Sequence, residues 1–280
     1  MTSMTKRVLT TAITLPALFL MIYYLPHRSY LALSLLAVLT AIASAYEMHG
    51  LFAKAGVHLN GAVPLLIGLL PLAQWAQIAY SPDYPIVDLT MIALALVFFT
   101  IEIISGAADR FRLSLSRIAA KAMLVIYPGL LITYIQRLTS LSYASDALLL
   151  FFILIFGNDV FAFVFGMWLG KNNRGVVKVS PNKSIAGFVG GTLSAMLLGL
   201  IACRLTPDLS GLLSTVAVLI IGFCTATAAN IGDLIESAFK RSVDVKDSGH
   251  LIPGRGGLLD SIDSMLVAAP LFWLLLTILS

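Results

Sequence analysis

Nine stretches of this chain are each apolar for nearly the length of a membrane crossing, and no other feature limits its fold as strongly. A helix needs about 20 apolar residues to span the hydrocarbon layer. Segments 8–26, 30–46, 61–80, 86–104, 119–136, 147–170, 185–203, 211–232 and 264–279 approach that length. Inside hydrocarbon the backbone must satisfy its own hydrogen bonds, so such segments are expected to cross as helices. With 59% of the 280 residues hydrophobic and only 11% charged, a water-facing surface cannot be built over the whole chain. The expected fold is therefore all-α, a polytopic helical membrane protein with about nine transmembrane helices.

Two of the nine need comment. The fifth is bracketed by Lys121 and Arg137 and interrupted by Pro128 and Gly129, a break that neighbouring helices can satisfy. The first follows Lys6 and Arg7 as a signal peptide would, but Tyr23, Tyr24 and Pro26 suit an interfacial end, and it is read as a membrane anchor. Basic residues collect on the cytoplasmic side of short loops. With the N-terminus in the cytoplasm and nine alternating crossings, 15 of the 18 bases fall inside, leaving only Arg28, Arg137 and Arg204 outside. One span more or fewer in the middle would destroy that asymmetry. Cys203 and Cys224 lie singly in apolar runs and read as small packing residues.

The polar residues that interrupt these runs carry the chemistry. Asp159 sits within the sixth span beside Asn158, where an ionised carboxylate costs several kcal/mol or more, on the order of the membrane-insertion values for charge. A protonated or paired side chain that specifies packing is one reading. A carboxylate facing a polar cavity is the other, and the cost of burial favours it. After the sixth span come Lys171, Arg174, Lys178 and then Ser180-Pro181-Asn182-Lys183-Ser184. Bases beside a membrane often only fix topology. Here Ser184 is placed to cap the seventh helix, and a helix N-terminus next to Lys183 suits a phosphate.

The densest stretch follows the eighth span. If that helix continues into the cytoplasm, Asp233, Glu236, Ser237, Lys240 and Arg241 fall at i, i+3, i+4, i+7 and i+8, on one face. Lys246 and Asp247 follow, then Pro253-Gly254-Arg255-Gly256-Gly257, then Asp260 and Asp263 one turn apart at the mouth of the ninth span. Carboxylates that leave room for water are what Mg²⁺ takes, usually shared with substrate phosphates. Glycines let backbone amides approach an anion. A patch that only anchored the chain to lipid would need the bases alone.

From Ser237 through Lys240, Arg241, Lys246, Asp247, Pro253, Gly254, Gly256, Gly257 and Asp260 to Asp263, these 27 residues resemble the signature of the phosphatidate cytidylyltransferases, or CDP-diacylglycerol synthases. The Asp159 segment and the Ser-Pro-x-Lys-Ser element look like that family too. The resemblance implies a membrane nucleotidyltransferase that takes CTP and phosphatidate and yields CDP-diacylglycerol and pyrophosphate, with Mg²⁺ held at Asp233, Asp260 and Asp263. A second, monovalent cation such as K⁺ is left open. Lys240, Arg241, Lys246 and Arg255 would hold the triphosphate, with Asp247, Ser237, Gly256 and Gly257 around them, Lys183 with Ser180 would take the lipid phosphate, and Asp159 is a further substrate-binding candidate. The chain departs from the family where Arg255 replaces a usual His, Ser261 a usual Arg and Ala186 a usual Glu.

The expected organisation is one membrane-embedded domain over 1–280, with N-terminal transmembrane helices in 1–145 and a catalytic half in 146–280. The expected location is the cell inner (plasma) membrane, multi-pass, with the site facing the cytoplasm. The partners are CTP, phosphatidate and the bilayer, with no nucleic acid; a homodimer is left open. A transferase acting on another lipid phosphate, an impaired member that binds lipid, and an ion-coupled carrier built around Asp159 are the rival readings. Only the first two give a reason for the glycine-rich loop flanked by acids.

The topology predicts that single cysteines placed near residues 110, 175 and 250 react with an impermeant thiol reagent only from the cytoplasmic side. Those near 140 and 206 should react only from outside. Same-side labelling at 140 and 175 would break the nine-span scheme.

Overall fold

The apolar segments fold as helices in the computed structural model, which describes residues 3–280 other than Val176, Pro253 and Arg255, with side chains from Ile13 onward except that of Pro207. Helices α1 (Ser3–Tyr24), α2 (His27–Lys54), α3 (Val63–Ile67), α4 (Leu69–Tyr80) and α5 (Ile86–Ser105) come first. Next are α6 (Ser114–Leu124), α7 (Leu131–Arg137), α8 (Ala144–Trp168), α9 (Ile185–Leu205), α10 (Pro207–Leu212), α11 (Thr215–Ser242) and α12 (Leu259–Leu279). Among the described residues eight stretches are long and apolar enough to cross a membrane, and Ile13–Tyr24 is a shorter apolar helix. These nine correspond in order to the nine expected segments.

Two details depart from the apolar pattern for local reasons. The break at Pro128 does not divide the fifth span. Pro128 has no N–H to give, and the chain absorbs it in a π-helical turn, Val125–Leu130, between α6 and α7, so that Ser114–Ser140 runs on as one stretch. Helix α11 continues ten residues past the apolar run expected to end at 232, carrying the polar residues from Asp233 to Arg241 as a helix.

The helices pack as two units, residues 1–137 with 242–261 and residues 138–241 with 262–280. In the first, α2 packs on α3, α4 and the π turn, and buries Ala37, Ala41, Ser44 and Ala45. Such small side chains let backbones approach where lipid supplies no hydrophobic drive between helices. The same closeness appears at Gly129, where a Cβ would stand 2.8 Å from Leu70 Cδ1 and 2.9 Å from Ile67 Cγ2. Charge is internal as well. Glu102 of α5 accepts from Arg117 Nε at 2.8 Å and from Lys121 Nζ at 2.9 Å, and Arg117 reaches Asp109 at 2.7 Å.

In the second unit α8 and α9 form the closest pair. A Cβ at Gly187 would lie 2.8 Å from the Ala162 carbonyl oxygen, and one at Gly191 2.8 Å from that of Asn158. Helices α11 and α12 meet as tightly at Gly232, where a Cβ would stand 2.5 Å from the Asp263 carbonyl oxygen. The core is apolar, with the Phe151 and Phe272 rings 5.2 Å apart. Leu193, Leu197 and Ile201 of α9 and Val216, Ile220 and Phe223 of α11 point outward, the surface a lipid-facing helix presents.

Within each unit, bonded polar residues sit at helix ends that nine alternating crossings put on a common side. Glu47 bonds Leu258, and Glu102 bonds Arg117, in the first unit. Lys183 pairs with Asp233, and Tyr143 bonds Ser280, in the second.

Lys121 is 3% exposed, and a buried charge stripped of its partner costs about 3–5 kcal/mol. Glu102→Leu should therefore lower the unfolding midpoint in detergent by several degrees. Adding Lys121→Leu to it should recover most of the loss. A double variant no better than the single would show that the ion pair is not what holds α5 to α6.

Candidate active site

The residues singled out in the sequence divide between the two units. In the second, Asp233 arises from the polar extension of α11, near the point where Gly232 lets α12 approach. Its carboxylate is ion-paired with Lys183, whose ammonium also lies 5.6 Å over the Phe188 ring. Ser237 Oγ lies one turn on, 3.5 Å from Asp233 Oδ1. Asp263, only 6% exposed, accepts from the Ser264 N–H at 2.6 Å. The charges of Asp233, Asp159 and Lys240 all act on its carboxyl. The unit thus gathers Asp159, Lys183, Asp233, Ser237, Lys240 and Asp263.

Lys183 is held by local geometry. Ser180 begins a tight turn through Pro181 in which its carbonyl accepts from Lys183 N–H at 3.1 Å, as Pro at the second turn position favours. Ser184 caps α9, its Oγ accepting from Gly187 N–H at 3.0 Å, as expected. Ala186 donates its N–H toward Asn173 Oδ1 at 3.4 Å.

The face shared by Asp233, Glu236, Ser237, Lys240 and Arg241 is not uniformly solvated. Glu236 is fully buried and ion-paired with Lys240, while Arg241 is exposed. The pair at 158 and 159 also divides, as a 100° step round a helix requires. Asn158 is buried and donates to Asn230 Oδ1 of α11 at 3.0 Å; Asp159 is exposed. Asn230 in turn donates to Thr192 Oγ1 of α9 at 3.4 Å. Thr192, Thr227 and Asn230 are the polar members of an otherwise apolar cavity of about 380 Å³ between α9 and α11, which Phe188 and Leu234 also line.

The first unit holds Lys246, Asp247, Gly256, Gly257 and Asp260. Asp260 Oδ2 accepts from Ser248 N–H at 2.9 Å, Ser248 Oγ at 3.0 Å and Gly257 N–H at 2.7 Å. Gly256, at φ +107°, takes a conformation that suits glycine, and a Cβ there would stand 2.8 Å from Asp260 Oδ2 and 3.0 Å from Asp247 Cβ. Lys246 is exposed, and Arg255 lies outside the described residues. Ser261 Oγ lies 3.4 Å from the Gly257 carbonyl oxygen.

The glycine-rich loop leads into a set of amides held by acidic side chains. The sequence suggests that the glycines let amides approach an anion; here the Gly257 N–H bonds Asp260, and the Leu258 and Leu259 N–H groups beyond the glycines bond Glu47. Glu47 and Asn230 are the residues that sequence reasoning missed. Glu47 does carry a signal, being the sole acidic residue among the first 82, at the end of an apolar run.

Among the described residues no three His, Cys, Asp or Glu side chains are grouped so as to hold a metal unaided. The donors fit a different kind of ion. Asp233 and Asp263 are hard oxygen ligands on two closely packed helices, and Mg²⁺ is commonly bound by one or two carboxylates, completing its shell with water and substrate phosphates.

The family model described as the cytidylyltransferase family matches residues 5–279. The chain is 30% identical over 270 residues, 94% of its length and 97% of the relative's, to the phosphatidate cytidylyltransferase of Staphylococcus epidermidis. Identity and coverage are the same for that of Staphylococcus aureus. An uncharacterized protein of Escherichia coli, YnbB, is 34% identical over 183 residues, 64% of this chain and 59% of YnbB. The match covers the α8–α9 loop that carries Lys183 and the helices that carry Asp233, Asp260 and Asp263, and the chain belongs to the cytidylyltransferase family.

Proposed function

We propose that this protein transfers CMP from CTP to phosphatidate, releasing pyrophosphate and forming CDP-diacylglycerol, at the cytoplasmic face of the cell inner membrane. One observation carries the reading. A base from the α8–α9 loop, Lys183, meets an acid of α11, Asp233, and α12 packs against Gly232, the residue before that acid, at Asp263, whose carboxyl feels the Asp233 charge. Sites for an anion and for a cation thus adjoin at the ends of membrane helices. Family membership, the phosphatidate cytidylyltransferase relatives and the inward bias of the bases support it.

The reaction needs no protein nucleophile. A phosphate oxygen of phosphatidate bonds to the α-phosphorus of CTP as the bond from that phosphorus to the oxygen bridging the β-phosphate breaks, and pyrophosphate leaves with the electron pair. Catalysis is then positioning and charge neutralisation. Asp233 and Asp263 would hold Mg²⁺, with Asp260 added by the family resemblance, and a monovalent ion such as K⁺ is a further candidate. When bound, Mg²⁺ offsets charge on the phosphate oxygens. Lys183 binds and orients the lipid phosphate. Arg241 and Lys246, both exposed, attract the triphosphate. The cavity between α9 and α11 adjoins Lys183 through Phe188 and is apolar enough to receive an acyl chain.

The test is pyrophosphate release by the detergent-purified chain given CTP, phosphatidate and Mg²⁺. Chelation should abolish it. Asp233→Asn and Asp263→Asn should each lower kcat by about 10²–10³-fold, the usual cost of removing one electrostatic contact to a transition state. Lys183→Met should raise KM for phosphatidate more than KM for CTP. A fully active Asp263→Asn variant would remove that residue from the site, and turnover only with a different lipid phosphate would change the acceptor.

A further inference from the structure

The segment leading into α12 is organised around an acid that the proposed reaction does not use. Leu258 N–H donates to Glu47 Oε1 and Leu259 N–H to Glu47 Oε2, each at 2.8 Å. Ser248 Oγ stands 3.1 Å from Glu47 Oε2 and 3.0 Å from Asp260 Oδ2. A serine hydroxyl has one proton, so the two carboxylates, which would otherwise repel, must share it. Two glycines make the room. A Cβ at Gly249 would lie 2.6 Å from Glu47 Oε1, and one at Gly257 would lie 2.7 Å from Glu47 Cδ. Glu47 comes from α2, more than 200 residues earlier in the chain, and on this geometry it receives these donors.

We infer that Glu47 is a positioning residue for Asp260. It occupies the α12 N-terminus as an internal anion, satisfying two of the N–H groups that a helix start leaves without partners. Through Ser248 it fixes the direction of the Asp260 carboxylate, whose Oδ2 also receives Ser248 N–H and Gly257 N–H. Two consequences follow. The Gly256-Gly257 turn is a frame for an acid, and substrate phosphate is left to side chains. The orientation of Asp260 depends on α2, far from it in sequence. The inference rests on the proposed function in one respect, that Asp260 serves a divalent cation.

The experiment uses the full chain in detergent as wild type, Glu47→Gln, Glu47→Asp and Ser248→Ala. The unfolding midpoint is titrated with Mg²⁺ alone, and pyrophosphate release is measured separately. Glu47→Gln keeps the volume but sets an NH₂ group against N–H donors. It should raise the Mg²⁺ concentration giving half the stabilisation by about 10–100-fold, as loss of a residue supporting a metal ligand does. Its kcat should fall with little change in KM for CTP at saturating Mg²⁺. Ser248→Ala should shift the Mg²⁺ response in the same direction by less, and Glu47→Asp should lie between wild type and Glu47→Gln. A lower midpoint without Mg²⁺ but an unchanged Mg²⁺ response would make Glu47 merely structural and overturn the inference. Should Glu47→Gln not fold, a wild-type Mg²⁺ response in Ser248→Ala overturns it instead. Wild type that Mg²⁺ does not stabilise overturns it too, since Asp260 then has no cation to meet. Wild type that Mg²⁺ stabilises but that makes no pyrophosphate from CTP and phosphatidate refutes the proposed reaction, while the Mg²⁺ comparison among variants still decides the part played by Glu47.

Discussion

A carboxylate in a chain whose outer surface is mostly lipid-facing must be met by donors or cations that the chain itself supplies. Where such an acid is buried, water is scarce, and an unanswered charge there costs more than any single contact returns. That constraint governs the polar architecture. Glu102 is met by Arg117 and Lys121, Glu236 by Lys240, Asp233 by Lys183, and Glu47 by two amides and a hydroxyl. The loops between helices are shaped by these partners. The α8–α9 turn carries Lys183 to Asp233, and the loop before α12 folds round Glu47 and Asp260.

The part of the fold that lipid dictates could be read from the chain. Hydrocarbon thickness sets span length, so among the described residues the nine apolar runs appear in order as eight helical stretches of membrane length and one shorter apolar helix, and a Pro-Gly break that would end a soluble helix is absorbed as a π turn at Val125–Leu130. Ser184 capping α9 and the continuation of α11 through Arg241 are also local, resting on residues a few positions apart. Which donor meets which acid is not local. Glu47 lies 211 positions from Leu258 and Asn158 lies 72 from Asn230, and no periodicity links them.

The loop amides show that a glycine-rich turn before a helix has more than one use. Glycines beside a helix N-terminus suit any anion, and a substrate phosphate is the natural candidate when only the motif is considered. The physics is indifferent to whether the anion is a ligand or a side chain. With Glu47 near, the Leu258 and Leu259 amides are bonded to it, and Gly249 and Gly257 allow close packing against that side chain.

Burial separates the ion pairs that hold the structure from those able to exchange partners. Glu236 is wholly buried, so parting it from Lys240 would strand a charge at a cost of about 3–5 kcal/mol, and that pair belongs to the framework. The side chains of Lys183 and Asp233 are 25% and 36% exposed, and a pair so open to solvent contributes about 1 kcal/mol or less. It can part cheaply, provided each member finds a new opposite charge. On the proposed function the substrates bring both, a cation for Asp233 and a lipid phosphate for Lys183. At no stage is either charge left alone, which is how a membrane protein can keep an ionic site ready without burying unpaired charge.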